Sequence, residues 1–249
     1  MAEGRGPARR RGRGGRSVSS GGGRPAPFAG ESEVVRRAKL SGGAGEEAVY
    51  RAVRAELEAL GVGGGVAVDV GAGSGALWGH VRDRCREYWA VDAIAYGGLP
   101  GEARFVKADL NRPPVALPDG CADLVFAIEV IEHVENPRLL CRELARLAGP
   151  GAWIVVTTPN QVSLLSVLAL ALKQQFSSFT DASYPAHLTA LLPVDLRRIA
   201  AELGLEEVRL AWTGDGRMPG TSLHWPRLLG RLSPRLFSDS VLLLARKPR

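Results

Sequence analysis

Between residues 66 and 158 the sequence alternates short apolar runs with helical segments, and the runs are apolar almost throughout. They are VAVDV (66–70), YWAVD (88–92), RFVKA (104–108), ADLVFAIEV (122–130) and AWIVVTT (152–158). A strand with one face in water alternates polar and apolar side chains, whereas a near-continuous run is buried on both faces. Helices are expected over about 46–60, 76–84, 137–148 and 192–203. In the first, Val49, Val53, Leu57 and Leu60 recur at spacings of three and four before Gly61. In the third, Leu139, Leu140, Leu144 and Leu147 share one side and Gly149-Pro150 closes it. Pro193 opens the fourth and Gly204 ends it. LEEVRLAW (205–212) and SVLLLAR (240–246) are the last strands. The pattern predicts an α/β fold with a parallel sheet covered by helices on both faces.

The 249 residues, 45% of them hydrophobic, suffice for one domain and a tail. Residues 1–30 hold seven Arg against Glu3 alone, with nine Gly, and are expected to be a disordered Gly/Arg-rich tail. Lacking an aromatic before Phe28, this tail reads as a solvated arm rather than an RNA-binding one. Residues 31–249, the expected domain, balance 25 basic against 25 acidic side chains, so a domain-wide nucleic-acid surface is not expected. Cys85, Cys121 and Cys141 have no CxxC spacing, which excludes a disulfide scaffold and a zinc ribbon. No run approaches the ~18 apolar residues of a membrane span, and no apolar signal region is present. A cytoplasmic location is expected.

Ligands of such sheets bind at the carboxyl ends of the strands. VAVDVGAGSGAL (66–77) supplies that place. Gly71, Gly73 and Gly75, with Ala72 between, allow a tight turn and a close approach of backbone to a ligand. Gly71, Gly73 and Ala76 also satisfy the dinucleotide pattern, so a nicotinamide oxidoreductase is one alternative. Asp69, two residues before the first glycine, can meet an ammonium group but would repel a pyrophosphate. Asp92 ends the second strand, where an acid accepts from ribose hydroxyls, and Asp109 follows the third. No Tyr-x-x-x-Lys pair of short-chain reductases occurs.

With VDVGAGSG (68–75), AVD (90–92), KADL (107–110) and PDGCADLVFAIEVIEHVENP (118–137), the chain resembles the class I S-adenosylmethionine-dependent methyltransferases. The resemblance runs from about residue 45 to 158 and more loosely through the final strands. It implies a Rossmann-like, doubly wound seven-stranded sheet with its last strand antiparallel. The cofactor, S-adenosylmethionine, would lie across the tips of strands one to four. Asp69, Gly71, Ala72, Gly73 and Gly75 would hold its methionine end, Asp92 the ribose, Asp109 with Leu110 the adenine, and Glu129 a further cofactor contact.

The acceptor is expected beyond strands four and five. Glu129, Glu132 and His133 have i, i+3, i+4 spacing and would share one face of a helical turn. They resemble a metal-binding stretch of ubiquinone-pathway O-methyltransferases and small-RNA 2′-O-methyltransferases, with His187 as a further ligand candidate for Mg²⁺. The reading adopted has no metal and makes His133 a pocket residue or general base, with a pKa near 6.5. Neither Asn/Asp-Pro-Pro-Tyr nor Pro-Cys occurs, which argues against base methylation. Inserts at about 160–190 and 213–239 carry apolar stripes, Val162, Leu165, Leu168, Leu172 and Phe176 in the first. They are expected to be lids packed on the sheet; the alternative is an interfacial surface making peripheral membrane contact. The expected function is O-methylation of a small-molecule or lipid- or sugar-linked acceptor. A non-catalytic methyltransferase-like binding protein and an RNA 2′-O-methyltransferase-like enzyme are the alternatives.

Overall fold

The computed structural model describes residues 1–2 and 33–249, so the expectation for the tail lies outside the described residues from position 3 onward. The residues from Glu33 to Arg249 form one compact unit. Its strands are β1 (Val66–Val70), β2 (Glu87–Asp92), β3 (Arg104–Lys107), β4 (Ala122–Ile128), β5 (Ala148–Pro159), β6 (Glu206–Trp212) and β7 (Ser240–Arg246). They form one seven-stranded sheet in the order β3-β2-β1-β4-β5-β7-β6. The first five strands run parallel, and β7 lies antiparallel to both β5 and β6. The chain winds outward from β1 to β3, then returns to β4 on the other side of β1. The carboxyl ends of β1 and β4 therefore flank the point where the winding reverses.

Helices α1 (Glu33–Ser41), α2 (Glu47–Ala59), α3 (Trp78–Val81), α4 (Pro137–Leu147), α5 (Leu164–Lys173), α6 (Pro193–Glu202) and α7 (Arg227–Leu232) complete the unit. Two cores sandwich the sheet. Leu140, Leu144 and Leu147 of α4 and Leu196 and Ile199 of α6 pack with Val68, Val70, Val125 and Val156. On the other face Val49, Val53 and Leu57 of α2 pack with Ala67, Tyr88, Phe126 and Leu242. Alternate residues of each strand serve opposite cores, which is why the runs read as continuously apolar.

Several expected boundaries move. The helix predicted over 76–84 is one turn of α-helix followed by a 3₁₀ turn (Arg82–Arg84), with Gly79 inside it. Strand β4 ends at Ile128 rather than residue 130, because Glu129 turns into the left-handed region at φ 54°. Strand β5 begins at Ala148, running directly on from α4 through Gly149-Pro150-Gly151. Helix α1 lies outside the reading that began near residue 45. Of the stripe on 162–176, Val162, Leu165 and Phe176 are half-buried and Leu168 and Leu172 exposed, and in α5 only Ser166 is buried. Among the described residues no helix is long and apolar enough to cross a membrane.

Candidate active site

A cavity of about 440 Å³ opens at the carboxyl ends of β1, β2, β4 and β5, a size suited to a small-molecule ligand. Its floor is the loop after β1. Gly71, Gly73 and Gly75 have φ of 79°, 54° and 78°, a region that side chains disfavour. The tight turn is the one expected of these glycines, and packing adds a second constraint. A Cβ on Gly71 would lie 2.4 Å from Val130, and one on Gly73 2.0 Å from the Gly43 carbonyl oxygen. On Gly75 it would meet Pro100 at 2.7 Å. The loop is thus pressed between β4's exit and the α1–α2 connection, with Ser74 N–H donating to Gly43 O at 2.7 Å. Ala72 is buried and lines the cavity.

The acids are brought together. At the tip of β2, Asp92 accepts from Gly73 N–H at 2.9 Å through Oδ2 and from Ala93 N–H at 2.6 Å through Oδ1. Burial raises its pKa, while those backbone donors oppose the rise. Asp69 is buried, lines the cavity, and accepts the Tyr88 hydroxyl. Asp109 and Leu110 also line it, although Asp109 Oδ1 simultaneously closes a local turn by accepting Asn111 N–H at 3.0 Å.

Burial pushes the Asp69 carboxyl up to about 7, Asp92 adds to the rise, and only the Tyr88 hydrogen bond opposes it. The folded state then holds a proton that an unfolded aspartate releases near pH ~4. Stability contributed by that proton is full below pH ~4 and lost as pH climbs toward 7. Asp69→Asn keeps an acceptor for Tyr88 and removes the charge. It should raise the stability of the ligand-free protein by roughly 2–4 kcal/mol at pH 8, with the gain shrinking to almost nothing at pH 4. Thermal melts at the two pH values check this; an equal gain at both would mean that the charge is not the cause.

On the acceptor side, the left-handed Glu129 precedes the 3₁₀ turn Ile131–His133, so the three residues do not share one helical face. Glu129 instead pairs with β5: its N–H donates to Thr157 Oγ1, which donates to Glu129 Oε1, both at 2.9 Å. Glu132 is buried, accepting Thr158 Oγ1 at 3.0 Å through Oε2, while its Oε1 has no hydrogen-bond partner. His187 arrives from the segment between α5 and α6, its ring edge-on to His133 at 4.9 Å. One ligand atom each of Glu132, His133 and His187 lies within 4.8 Å of the others. His133 Nδ1 stands 2.8 Å from Ala186 O, and His187 Nδ1 2.5 Å from Ser178 O. A carbonyl only accepts, so each Nδ1 carries the proton and each Nε2 presents a lone pair. Burial lowers the pKa of both imidazoles, His133 adding to the effect on His187. Burial also raises Glu132 to about 7 and Glu129 well above the carboxylate range.

Four features of this site escaped the sequence reading. The roof, Val34, Arg37 and Gly43 with their neighbours, comes from a segment with no strong motif. Tyr88 was legible in principle: it pairs with Ala67, so it shares a face with Asp69. Thr157 and Thr158, at the end of β5, were polar positions in an apolar run. The carbonyls of Ser178 and Ala186 carry no sequence signal at all.

A family model described as a methyltransferase domain matches residues 45–210. The chain belongs to the class I S-adenosylmethionine-dependent methyltransferases. This methyltransferase is 26% identical over 166 residues to the ubiquinone biosynthesis O-methyltransferase of Thiobacillus denitrificans, covering 66% of this chain and 69% of that one. It is 32% identical over 139 residues to the "Probable tocopherol O-methyltransferase, chloroplastic" of Oryza sativa subsp. japonica. That match covers 53% of this chain but only 35% of the rice protein. In fold it is similar to a SAM-dependent methyltransferase from Archaeoglobus fulgidus, with TM-score 0.55, 20% identity, and 80% and 94% of the two chains covered. It is likewise similar to the 1,6-didemethyltoxoflavin-N1-methyltransferase of Burkholderia thailandensis, solved with S-adenosylhomocysteine, at TM-score 0.53, 16% identity and coverage of 82% and 80%. The residues of this methyltransferase fit the family's cofactor. Asp69 is a buried carboxylate on the cavity wall facing no buried cation among its hydrogen-bond partners, which suits a ligand that brings positive charge. Asp92, with one backbone donor on each oxygen, retains lone pairs for hydroxyls.

Proposed function

We propose that this chain transfers a methyl group from S-adenosylmethionine to an oxygen of a small-molecule or lipid-linked acceptor, in the cytoplasm. The observation that carries the reading is the convergence, on one cavity, of the Asp69 and Asp92 carboxylates and the paired His133 and His187 imidazoles. Asp69 and the 71–75 loop would hold the methionine end, Asp92 the ribose, Asp109 and Leu110 the adenine, and Glu129 would sit beside them. Bound S-adenosylmethionine supplies a methyl on sulfonium sulfur, open to in-line displacement, where alignment provides much of the acceleration. His133 would take the acceptor's proton on Nε2. Its Nδ1–H held by Ala186 O fixes that tautomer, and burial keeps the ring neutral. The O-methyltransferase names of the relatives support oxygen as the acceptor atom.

One observation favours a second version of the acceptor side. Glu132 Oε1 has no hydrogen-bond partner, and one ligand atom each of Glu132, His133 and His187 lies within 4.8 Å of the others. Such a set is suited to a divalent cation, and each imidazole's Nδ1–H on a carbonyl is the support that metal-ligating histidines use. Transfer of label from methyl-labelled S-adenosylmethionine, assayed over phenols, catechols, lipid quinols, amines and RNA, tests the proposal. Labelled ether products from hydroxyl acceptors are expected. Label appearing only in amines or in RNA would overturn the acceptor class, and cofactor binding with no transfer to any of them would make the chain a binding protein.

A further inference from the structure

Helix α5 is built inside out. Its sequence, LLSVLALALK, buries only Ser166, whose hydroxyl donates to Gln161 Oε1 and accepts from Ser177 N–H. Val167, Leu168, Leu170 and Leu172 are exposed, Leu172 at 81%. The insert between β6 and β7 repeats the arrangement, with Leu223, Leu228, Leu232 and Leu236 exposed. Isolated surface leucines are ordinary, but a concentration of them beside a ligand cavity marks an interaction surface. The two segments are joined: Leu164 N–H donates to Leu236 O at 2.9 Å, and Asn160 Nδ2 to Arg235 O at 2.8 Å. Between them lies a second cavity of about 430 Å³, and Ser177, Thr180 and Arg217 line both it and the first.

Within the two segments the charge has one sign, with Asp215 and Asp239 engaged by His224 and Arg217 at the margin. Lys173 ends α5, and Arg231 and Arg235 flank the leucines of the insert, all three exposed. No Asp or Glu occurs between Asn160 and Asp181 or between Asp215 and Asp239. We propose that α5 and the 223–236 segment form a docking surface for an anionic lipid bilayer. The leucines enter the acyl boundary, and Lys173, Arg231 and Arg235 meet headgroup phosphates. A second copy of the chain fits less well, because a two-fold contact lays the patch on itself and sets arginines against arginines with no carboxylate between them. A neutral bilayer satisfies the leucines and leaves the basic side chains without partners. The inference requires neither methyl transfer nor a bound cofactor. Where the proposed function also holds, a lipid-linked acceptor reaches the second cavity from the membrane.

Flotation of the full chain with vesicles of phosphatidylglycerol and phosphatidylcholine, against phosphatidylcholine alone, tests this without acceptor or cofactor. The chain should float with the anionic vesicles only. Leu168→Ser/Leu172→Ser and Arg231→Glu/Arg235→Glu should each cut the bound fraction at least tenfold while keeping the parent's melting temperature and cofactor affinity. The Arg-rich segment at 5–16 is controlled by the full chain carrying Arg9→Gln, Arg10→Gln, Arg11→Gln and Arg13→Gln, which should still float. Binding indifferent to the leucine and Arg231/Arg235 substitutions, or lost with the Arg9–Arg13 replacements alone, overturns the proposal. So does sedimentation of the parent as a dimer that the leucine variant converts to monomer, which assigns the face to a second copy.

Discussion

Replacing Asp92 with alanine should weaken S-adenosylmethionine binding at least tenfold, at ~1.5–3 kcal/mol for each charged hydrogen bond lost. The side chain stands at the tip of β2, where its two oxygens already hold the N–H groups of Gly73 and Ala93. Alanine therefore does two things: it removes the acceptor proposed for the ribose and strands a buried Gly73 N–H, which itself costs ~1–3 kcal/mol of stability. Asp92→Asn separates the two effects. It keeps one acceptor oxygen for the loop and loses the charge, so its melting temperature should fall less than the alanine variant's while its affinity drops comparably. Calorimetric titration of both variants reads the outcome. Unchanged affinity in a folded Asp92→Ala protein would remove the residue from the cofactor site.

His133→Ala should lower the turnover rate by ~10²–10⁴-fold, the usual contribution of a general base, with the cofactor's dissociation constant unchanged. The pH profile carries the sign. Only the neutral imidazole accepts a proton, and burial lowers the pKa of His133. The acid limb should therefore fall below 6.5, the value an unperturbed ring would give and the one the sequence alone suggested. Above that limb the rate should stay level on account of this residue. Excess chelator separates the two versions of the acceptor side. If Glu132, His133 and His187 hold a cation, chelation abolishes transfer and leaves cofactor binding intact, and Glu132→Gln mimics it. Full activity in chelator removes the cation; full activity of His133→Ala removes the base.

What the sequence made legible divides by the range over which each signal acts. Strands buried on both faces announce themselves residue by residue, which is why β1, β2, β4, β5 and β7 lie close to where hydropathy put them, and the edge strands β3 and β6 were legible from their shorter apolar runs. The acids at 69, 92 and 109 were legible because each lies at or near the carboxyl end of a strand, and the sheet brings strand ends together without further information. The shared face expected of Glu129, Glu132 and His133 does not form, because helical spacing presumes a helix and the left-handed backbone of Glu129 at φ 54° ends β4 before one can start. The pairing of His133 with His187 depends on a connection of 53 intervening positions whose path no local pattern dictates. The glycines were legible from the tight turn they allow, whereas the atoms crowding them belong to Gly43, Val130 and Pro100, which no local pattern brings there. In α5 the hydrophobic spacing was read correctly, but periodicity says which residues share a face and not whether protein lies against it.

Strand β7 sits between β5 and β6, antiparallel to both, and contributes Leu242, Leu243 and Leu244 to the two cores. The sheet therefore does not grow steadily from its first strand to its last: β6 has no neighbour until residues 240–246 slide in beside β5. A chain stopped short of residue 240 leaves the long, apolar β5 with a row of unpaired backbone groups, an invitation to pair with another molecule's edge. Misassembly of nascent or clipped chains should thus concentrate at β5, even though every group proposed to touch the cofactor would already be in place.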